Sequence, residues 1–184
     1  MVAVRWRDRP PVRAQLLARM AQEYGWRHGA ELGVLRGDTL LYLLRTCPQL
    51  YMVAVDLWAP QPEQDARRAE GGRSYAGHDL EGYYNALRAA VERYGFRAQL
   101  CRMTTVEAAT LVVDGSLDFV FIDADHTEEG VSADIAMWRP KVKPGGWLMG
   151  HDYNERGFPG VVRAVDRLVG EPLLFKDHVW ATRI

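Results

Sequence analysis

The sequence predicts an α/β protein built on a mostly parallel β-sheet, with helices between its strands. Short apolar runs of strand length alternate with longer amphipathic stretches along the 184 residues. Two of the runs, 50–56 (LYMVAVD) and 117–122 (LDFVFI), have the continuous apolar character of strands buried on both faces. Long helices between strands imply right-handed crossovers and parallel neighbours. In such sheets ligands bind beyond the carboxyl ends of the strands, where we therefore expect the site.

Each element follows from its local pattern, and we assign residues 1–184 to one domain. An N-terminal helical segment occupies 1–28, where Pro10 and Pro11 precede apolar residues at helical spacing. The predicted strands are 29–33, 50–56, 97–103, 117–122, 147–150, 173–175 and 179–182. The predicted helices after the first are 38–45, 80–94, 106–112, 127–138 and 161–169. Residues 60–77, rich in proline, glycine and charge, predict a mobile loop or lid.

Composition limits the classes of partner. The 23 Lys and Arg nearly balance the 24 Asp and Glu, so net charge indicates neither a nucleic-acid nor a membrane partner. Two cysteines without a CxxC spacing argue against a disulfide framework and favour a reducing compartment. The sequence also lacks a signal-peptide pattern and any stretch of roughly 20 apolar residues. We expect a cytoplasmic protein.

A turn with glycines joins the first predicted strand to the first crossover helix. In ELGVLRG, Gly33 and Gly37 lack a Cβ, so the backbone turns sharply and approaches a ligand closely. Amide groups at the start of the following helix face such a ligand. We assign Glu31, Gly33, Leu35 and Gly37 to cofactor binding.

Residues after the second and third predicted strands extend this site. Asp56 ends its strand about 20 residues after Gly33, which is the spacing typical of acids that bind ribose hydroxyls. We assign Leu57 and Trp58 to the binding of an adenosine-type cofactor, with Trp58 as a neighbour of the adenine. Polar residues Thr104 and Thr105 follow the third strand, where the adenine edge is expected.

The charge of Glu31 distinguishes between two adenosine cofactors. A nicotinamide dinucleotide places its pyrophosphate at this turn, and a carboxylate beside it is electrostatically unfavourable. S-adenosylmethionine carries a sulfonium and an ammonium instead, which Glu31 attracts. The turn also departs from the three-glycine G-x-G-x-x-G pattern. The sequence therefore favours S-adenosylmethionine.

Five motifs in order now resemble a known family: AELGVLRGDTL, VAVDLW, LDFVFIDADHTEEGVSADI, WRPKVKPGG and GHDY. Together they resemble class I S-adenosylmethionine-dependent methyltransferases, and within them methyltransferase family 24, akin to small-molecule O-methyltransferases of the macrolide-sugar and aminocoumarin type. The resemblance spans 29–169. It implies a Rossmann-like sheet of seven strands with helices on both faces and an antiparallel last strand. It also implies methyl transfer, which we expect to be O-methylation of a small molecule.

Ionisable residues crowd the ends of the fourth and fifth predicted strands, in Asp123-Ala124-Asp125-His126 and His151-Asp152. Crowded acids need a cation or shifted pKa values. Carboxylates suit Mg²⁺, and an added imidazole suits Mn²⁺. In metal-dependent relatives, an acid after the fourth strand and an acidic pair after the fifth hold the ion. The resemblance therefore implies Asp123, His151 and Asp152 as ligands, with a histidine where those relatives have an acid; Asp123 also borders the cofactor.

A methyl acceptor with a hydroxyl group benefits from a general base. His126 is the first candidate because its ordinary pKa is near neutrality, and Asp125 is the second. The alternative for His126 is a structural role at the start of the helix that follows it.

Three other functions stay open at this point. The same scaffold and metal would serve a hydroxylase or another non-methylating enzyme. An NAD-dependent oxidoreductase would need a donor pair such as Tyr-x-x-x-Lys, which the sequence lacks. A catalytically silent cofactor-binding module is the third. Because little chain precedes the first strand, loops or a second subunit must complete the acceptor pocket, and we expect a homodimer.

Overall fold

Seven β-strands and six α-helices make up the computed structural model, which describes residues 10–60, 75 and 77–184. The strands are β1 (His28–Leu32), β2 (Tyr51–Asp56), β3 (Ala98–Arg102), β4 (Leu117–Ile122), β5 (Val142–Gly150), β6 (Leu173–Phe175) and β7 (Val179–Arg183). The helices are α1 (Val12–Glu23), α2 (Asp38–Thr46), α3 (Leu80–Val91), α4 (Thr105–Ala109), α5 (Glu128–Trp138) and α6 (Pro159–Leu168). Two 3₁₀ turns, Glu92–Arg97 and Arg139–Lys141, follow α3 and α5.

The strands form one sheet in the order β3-β2-β1-β4-β5-β7-β6. Every neighbouring pair from β3 to β5 is parallel, whereas β7 runs antiparallel to both β5 and β6. The direction of strand order reverses between β1 and β4, which creates a crevice at their carboxyl ends. The predicted seven-stranded, mostly parallel sheet with an antiparallel last strand is confirmed.

The sheet is buried on both faces, as the apolar runs predict. Successive side chains of a strand point to opposite faces. Phe119 and Phe121 belong to the core layer with helices α1 and α2, whereas Val120 and Ile122 belong to the layer with α5 and α6. The continuous apolar run of β4 therefore supplies both layers, and helices cover both faces.

Several predicted boundaries differ from the structure, among them the helix predicted over 106–112, which spans Thr105–Ala109, and two that change how the chain continues. The helix predicted over 80–94 ends at Val91 and continues as the 3₁₀ turn, in which Gly95 has φ 57°. The strand predicted over 147–150 begins earlier, at Val142, and the glycine turn forms a bulge within it. Leu117 pairs with Val142 but Phe119 pairs with Trp147, so the extra residues of β5 loop out.

Two of the segments predicted from the sequence are described only in part. Of the N-terminal segment predicted over 1–28, helix α1 packs against α2, and residues 1–9 lie outside the described residues. Most of the lid predicted over 60–77 also lies outside them, at 61–74 and 76. Among the helices that are described, none has the length and apolar character to cross a bilayer.

Arg97 ties the end of α2 to the beginning of β2. Its guanidinium donates to the carbonyl of Leu44 at 2.9 Å and to those of Cys47 and Leu50 at 3.3 Å. The last carbonyls of a helix have no partner within the helix, so a side chain or water must satisfy them. Arg97 therefore replaces water at a partly buried helix end.

We predict that Arg97→Ala lowers the free energy of unfolding by about 1.5–3 kcal/mol, because it removes charged hydrogen bonds to three carbonyls. Urea denaturation of the two proteins measures the difference. The matched control is Arg93→Ala, since Arg93 is exposed and, among the described residues, its guanidinium donates to the Ala90 carbonyl of its own turn and lies over the neighbouring Tyr94 ring; its effect should stay within about 0.5 kcal/mol. Equal effects of the two substitutions would contradict the role of Arg97.

Candidate active site

A cavity of about 310 Å³ opens at the carboxyl ends of β1, β2 and β4. It lies at the reversal of strand order, and its volume is typical of small-molecule sites. Nine of the residues assigned to the site from the sequence line it: Glu31, Gly33, Leu35, Asp56, Leu57, Thr104, Thr105, Asp123 and Asp125. The other five, Gly37, Trp58, His126, His151 and Asp152, do not.

Gly33 allows the turn after β1 to pass close to β4. Its φ is +83°, and a Cβ there would lie 2.0 Å from the carbonyl oxygen of Asp123. Both the left-handed backbone and the close approach exclude a side chain. The floor of the cavity therefore depends on glycine at this position.

Asp56 holds the turn in place from the end of β2. Its Oδ2 accepts the N–H groups of Val34 at 2.9 Å and Leu35 at 2.8 Å, and its Oδ1 accepts the N–H of Trp58 at 2.8 Å. Leu35 and Trp58 both have positive φ, a conformation that needs such support. Three of the four acceptor positions of the carboxylate are thus used within the protein. No other described residue donates to Oδ1, which leaves one acceptor position for a ligand; from the sequence, the carboxylate was expected to bind the ribose hydroxyls.

Gly37 and Trp58, assigned to cofactor binding from the sequence, do not line the cavity and instead shape the turn from behind. Gly37 precedes α2 with φ 79°, and a Cβ there would lie 2.4 Å from Leu87. The Trp58 side chain is buried, packs on Tyr84 and donates its indole N–H to the carbonyl of Leu35 at 2.7 Å. The Trp58 side chain therefore supports the turn from the core.

The two threonines after β3 differ in what their side chains do. Thr104 caps α4: its hydroxyl accepts the N–H of Glu107 and donates to the Glu107 carboxylate at 2.7 Å. This capping box occupies the Thr104 side chain. Thr105 lies in the first turn of α4, and its side chain contacts the carboxyl of Asp134.

Glu31 is a buried acid at one end of the cavity. Its Oε2 has no hydrogen-bond partner among the described residues. Burial raises the pKa of Glu31 to about 8, although nearby Arg13 opposes this. An unpaired buried carboxyl is stabilised when a cation binds beside it.

A second group of acids is paired internally. His126 Nε2 lies 2.7 Å from Asp152 Oδ2 and 3.4 Å from Asp123 Oδ1, and His151 Nδ1 lies 3.2 Å from Asp152 Oδ1. Burial acts to raise the pKa of Asp123, but the two imidazoles outweigh it and hold that pKa at about 2. Burial acts to lower the pKa of His151, but Asp123 and Asp152 raise it to about 9. Arg13 adds a further cation, 3.5 Å from Asp123.

His126 and His151 both lie beside the acids assigned as metal ligands. The ligand atoms that converge within 4.8 Å of one another belong to Asp123, His126 and Asp152, so the imidazole of this group is that of His126, whereas the sequence assigned His151. His126, the first candidate general base from the sequence, packs against Phe158 and does not line the cavity. Asp125 does line the cavity, while its Oδ1 accepts the N–H of Thr127 at 2.9 Å.

Four charged residues that line the cavity were not assigned to the site from the sequence: Arg13, Arg36, Asp38 and Asp134. Arg13 and Asp134 lie on the apolar stripes of their helices. Asp134 follows Val131 by three positions and precedes Trp138 by four, and both of those residues are buried. Charged residues are rare at the apolar positions of an amphipathic helix, and this feature could have identified Arg13 and Asp134 from the sequence.

The strand order and the cavity at its reversal define the class: a doubly wound α/β protein with its ligand site at the topological switch point. Residues 30–153 match the family model described as a methyltransferase domain, methyltransferase family 24. The chain belongs to this family, which confirms the resemblance to class I S-adenosylmethionine-dependent methyltransferases and its assignment as a methyltransferase.

Several proteins are similar to this chain over part or most of its length. The uncharacterised protein y4gI of Sinorhizobium fredii is 33% identical over 89 residues, which are 47% of this chain and 10% of that protein. The chain thus spans about a tenth of that relative's length.

Solved methyltransferase structures share the fold at low identity. The calicheamicin methyltransferase CalS11 is 16% identical with a TM-score of 0.72, covering 94% of this chain and 77% of its own. An O-methyltransferase from Bacillus cereus, in complex with SAH, is 16% identical with a TM-score of 0.65, covering 96% and 83%. TomG from Streptomyces achromogenes, an O-methyltransferase of tomaymycin synthesis in complex with SAM, is 13% identical with a TM-score of 0.61, covering 93% and 79%.

We predict that Gly33→Ala destabilises the protein by about 2–5 kcal/mol, because the left-handed backbone and the overlap with the Asp123 carbonyl both oppose a methyl group. Urea denaturation measures the loss. Gly115→Ala is the matched control: Gly115 also has positive φ, at +63°, but a Cβ there meets nothing within 4 Å. The control should cost only about 1–2 kcal/mol. Equal costs at the two glycines would show that Gly33 has no special contact.

Proposed function

We propose that this chain transfers the methyl group of S-adenosylmethionine to a hydroxyl of a small-molecule acceptor. The observation that carries the proposal is Glu31, a buried acid with an unpartnered oxygen at the cavity beside the turn after β1. S-adenosylmethionine is a cation at both its sulfonium and its ammonium, so binding relieves the unpaired carboxyl. The pyrophosphate of NAD would instead add negative charge beside Glu31 and Asp123.

The chain's own residues have separate tasks in this proposal. The turn at Gly33, held by Asp56, supports the cofactor and leaves one Asp56 acceptor position for a ribose hydroxyl. Leu57 lines the cavity beside that position. S-adenosylmethionine supplies an activated methyl carbon, and the protein must hold the acceptor oxygen in line with it.

The acceptor approaches from the side of Asp123. Of the paired group, Asp123 is the member that lines the cavity, and Asp152 and His126 lie behind it. We propose that Asp123 accepts the hydrogen bond of the acceptor hydroxyl and that His126 positions Asp123 and Asp152. Asp125, two residues from Asp123, also lines the cavity, and we propose its carboxylate as the group that receives the proton.

The chemistry of Asp123, His126 and Asp152 also fits a divalent cation. One imidazole and two carboxylates suit Mn²⁺, and Mg²⁺ accepts the carboxylates. His126 Nε2 lies 2.7 Å from Asp152 and 3.4 Å from Asp123, so an ion bound among the three side chains would displace the proton of this nitrogen. These three residues would hold the ion, which would lower the pKa of an acceptor hydroxyl as a Lewis acid.

The similarity in fold to the calicheamicin methyltransferase and to TomG of tomaymycin synthesis supports the proposal of a small-molecule acceptor. The homodimer and the cytoplasmic location expected from the sequence stay predictions. Light scattering of the purified chain measures the first.

We predict that S-adenosylhomocysteine, and not NAD, raises the thermal unfolding midpoint by about 5 °C or more when present at 100 times its Kd. At pH 8.5, where the Glu31 carboxyl with its pKa of about 8 is ionised, Glu31→Gln should weaken the binding of S-adenosylhomocysteine about 10–100-fold, because it removes the charge that faces the ammonium. Calorimetric titration measures this, with the exposed Glu92→Gln as a control that leaves affinity unchanged. Stabilisation by NAD alone would overturn the proposed function.

We predict that Mn²⁺ binds the metal-stripped protein with one ion per chain and that His126→Gln weakens this binding at least about tenfold. His151→Gln is the matched control, since His151 is near the same acids but outside the converging group. Calorimetric titration with Mn²⁺ compares them. If His151→Gln weakens Mn²⁺ binding as much as His126→Gln, or if no Mn²⁺ binds, the proposed ligand set of Asp123, His126 and Asp152 is wrong.

A further inference from the structure

Asp134 is a buried acid that lines the cavity, and the proposed function gives it no role so far. It is 2% exposed, lines the cavity from α5, and shares its helix face with Val131, Ile135 and Trp138. Its Oδ2 has no hydrogen-bond partner among the described residues. A buried carboxyl that lacks a partner costs folding free energy, so it is expected where a ligand completes it.

The contacts of Asp134 place it at the end of the cavity formed after β3. The Thr105 side chain contacts its carboxyl, and one turn further along α5 the indole of Trp138 donates to the Thr105 carbonyl at 3.0 Å. Glu31 lies at the end of β1 instead, two strands away from β3 in the sheet. The two acids therefore line different parts of the cavity.

The acids at the two ends of the cavity fit the two ends of S-adenosylmethionine. Glu31 would face a cation, the ammonium, and Asp134 would face a neutral hydrogen-bond donor. With Glu31 beside the amino-acid part and the Asp56 position beside the ribose, the adenine lies toward β3 and reaches Thr105 and Asp134. The adenine edge carries an exocyclic amine, a hydrogen-bond donor that a carboxyl oxygen accepts. We infer that Asp134 accepts a hydrogen bond from the exocyclic amine of the cofactor's adenine and thereby selects the base; this inference rests on the proposed function.

A preference for one base distinguishes adenine recognition by Asp134 from a purely structural contact between Asp134 and Thr105. A 6-oxo base such as hypoxanthine replaces the amine with a carbonyl, which is an acceptor and leaves the Asp134 carboxylate facing another acceptor. Sites built around a buried hydrogen bond reject analogues that lack the matching group. Burial raises the pKa of Asp134 to about 7, although the contact with Thr105 opposes this, so the discrimination is best measured at pH 8.5, where the carboxyl is ionised.

The experiment is calorimetric titration of the full chain with S-adenosylhomocysteine and with S-inosylhomocysteine at pH 8.5. The wild-type protein is expected to bind the adenosyl compound about 100-fold more tightly, since the inosyl compound leaves a buried charge unpaired. Asp134→Asn should reduce this ratio to below about fivefold, because the amide both donates and accepts.

Two controls separate base recognition from general damage to the site. Thr105→Val removes the contact with Asp134 but keeps its carboxylate. Because Thr105 also borders the proposed adenine position, both affinities are expected to fall, whereas the preference for the adenosyl compound should persist. Glu31→Gln acts at the other end of the cofactor and should weaken both compounds equally. Thermal unfolding of each variant shows that it is folded.

The outcomes distinguish this inference from the proposed function. A wild-type ratio near one, or an unchanged ratio in Asp134→Asn, overturns the role of Asp134 while tight binding of S-adenosylhomocysteine still supports the proposed function. Failure of the wild-type protein to bind S-adenosylhomocysteine overturns both. The wild-type ratio decides the question even where Asp134→Asn does not fold.

Discussion

The site depends first on the hydrogen bonds that the Asp56 carboxylate accepts from the backbone. Parallel strands end in loops whose amide groups no longer have partners in the sheet, and buried amides must find others. Asp56 takes three of these groups, at Val34, Leu35 and Trp58, and so joins the loops that leave β1 and β2. The left-handed residues of those loops are held by this one side chain, and with them the floor of the cavity.

Buried acids around the cavity are stabilised in two different ways. Asp123 and Asp152 have the imidazoles of His126 and His151 beside them, and their pKa values lie below the ordinary range. Glu31 and Asp134 have no such partners, and burial raises their pKa values. The paired acids keep their charge without a ligand, whereas the unpaired acids gain from one. This difference separates the group proposed for the acceptor from the acids proposed to contact the cofactor.

Much of the fold could be predicted because its signals are local. Strand β4 is apolar on both faces, and helix α5 begins at a threonine that caps it. The site could be predicted in part for the same reason: residues at the carboxyl ends of parallel strands converge whatever their side chains are. Hence Glu31 and Asp123 line the cavity, as expected from their places in the chain. The bulge within β5 was not predicted, since its register depends on pairing with β4.

The sequence by itself determined the order of elements, the parallel sheet and the strand ends at which the site forms. Periodicity and chain position carry that information, and neither depends on the details of packing. Tertiary structure decided which side chains face the cavity. Trp58 and His126 turn toward the core, where Tyr84 and Phe158 pack against them, and Asp134 and Arg13 reach the cavity from helices distant in the chain. The direction of a side chain follows from its neighbours in space, which spacing along a sequence does not specify.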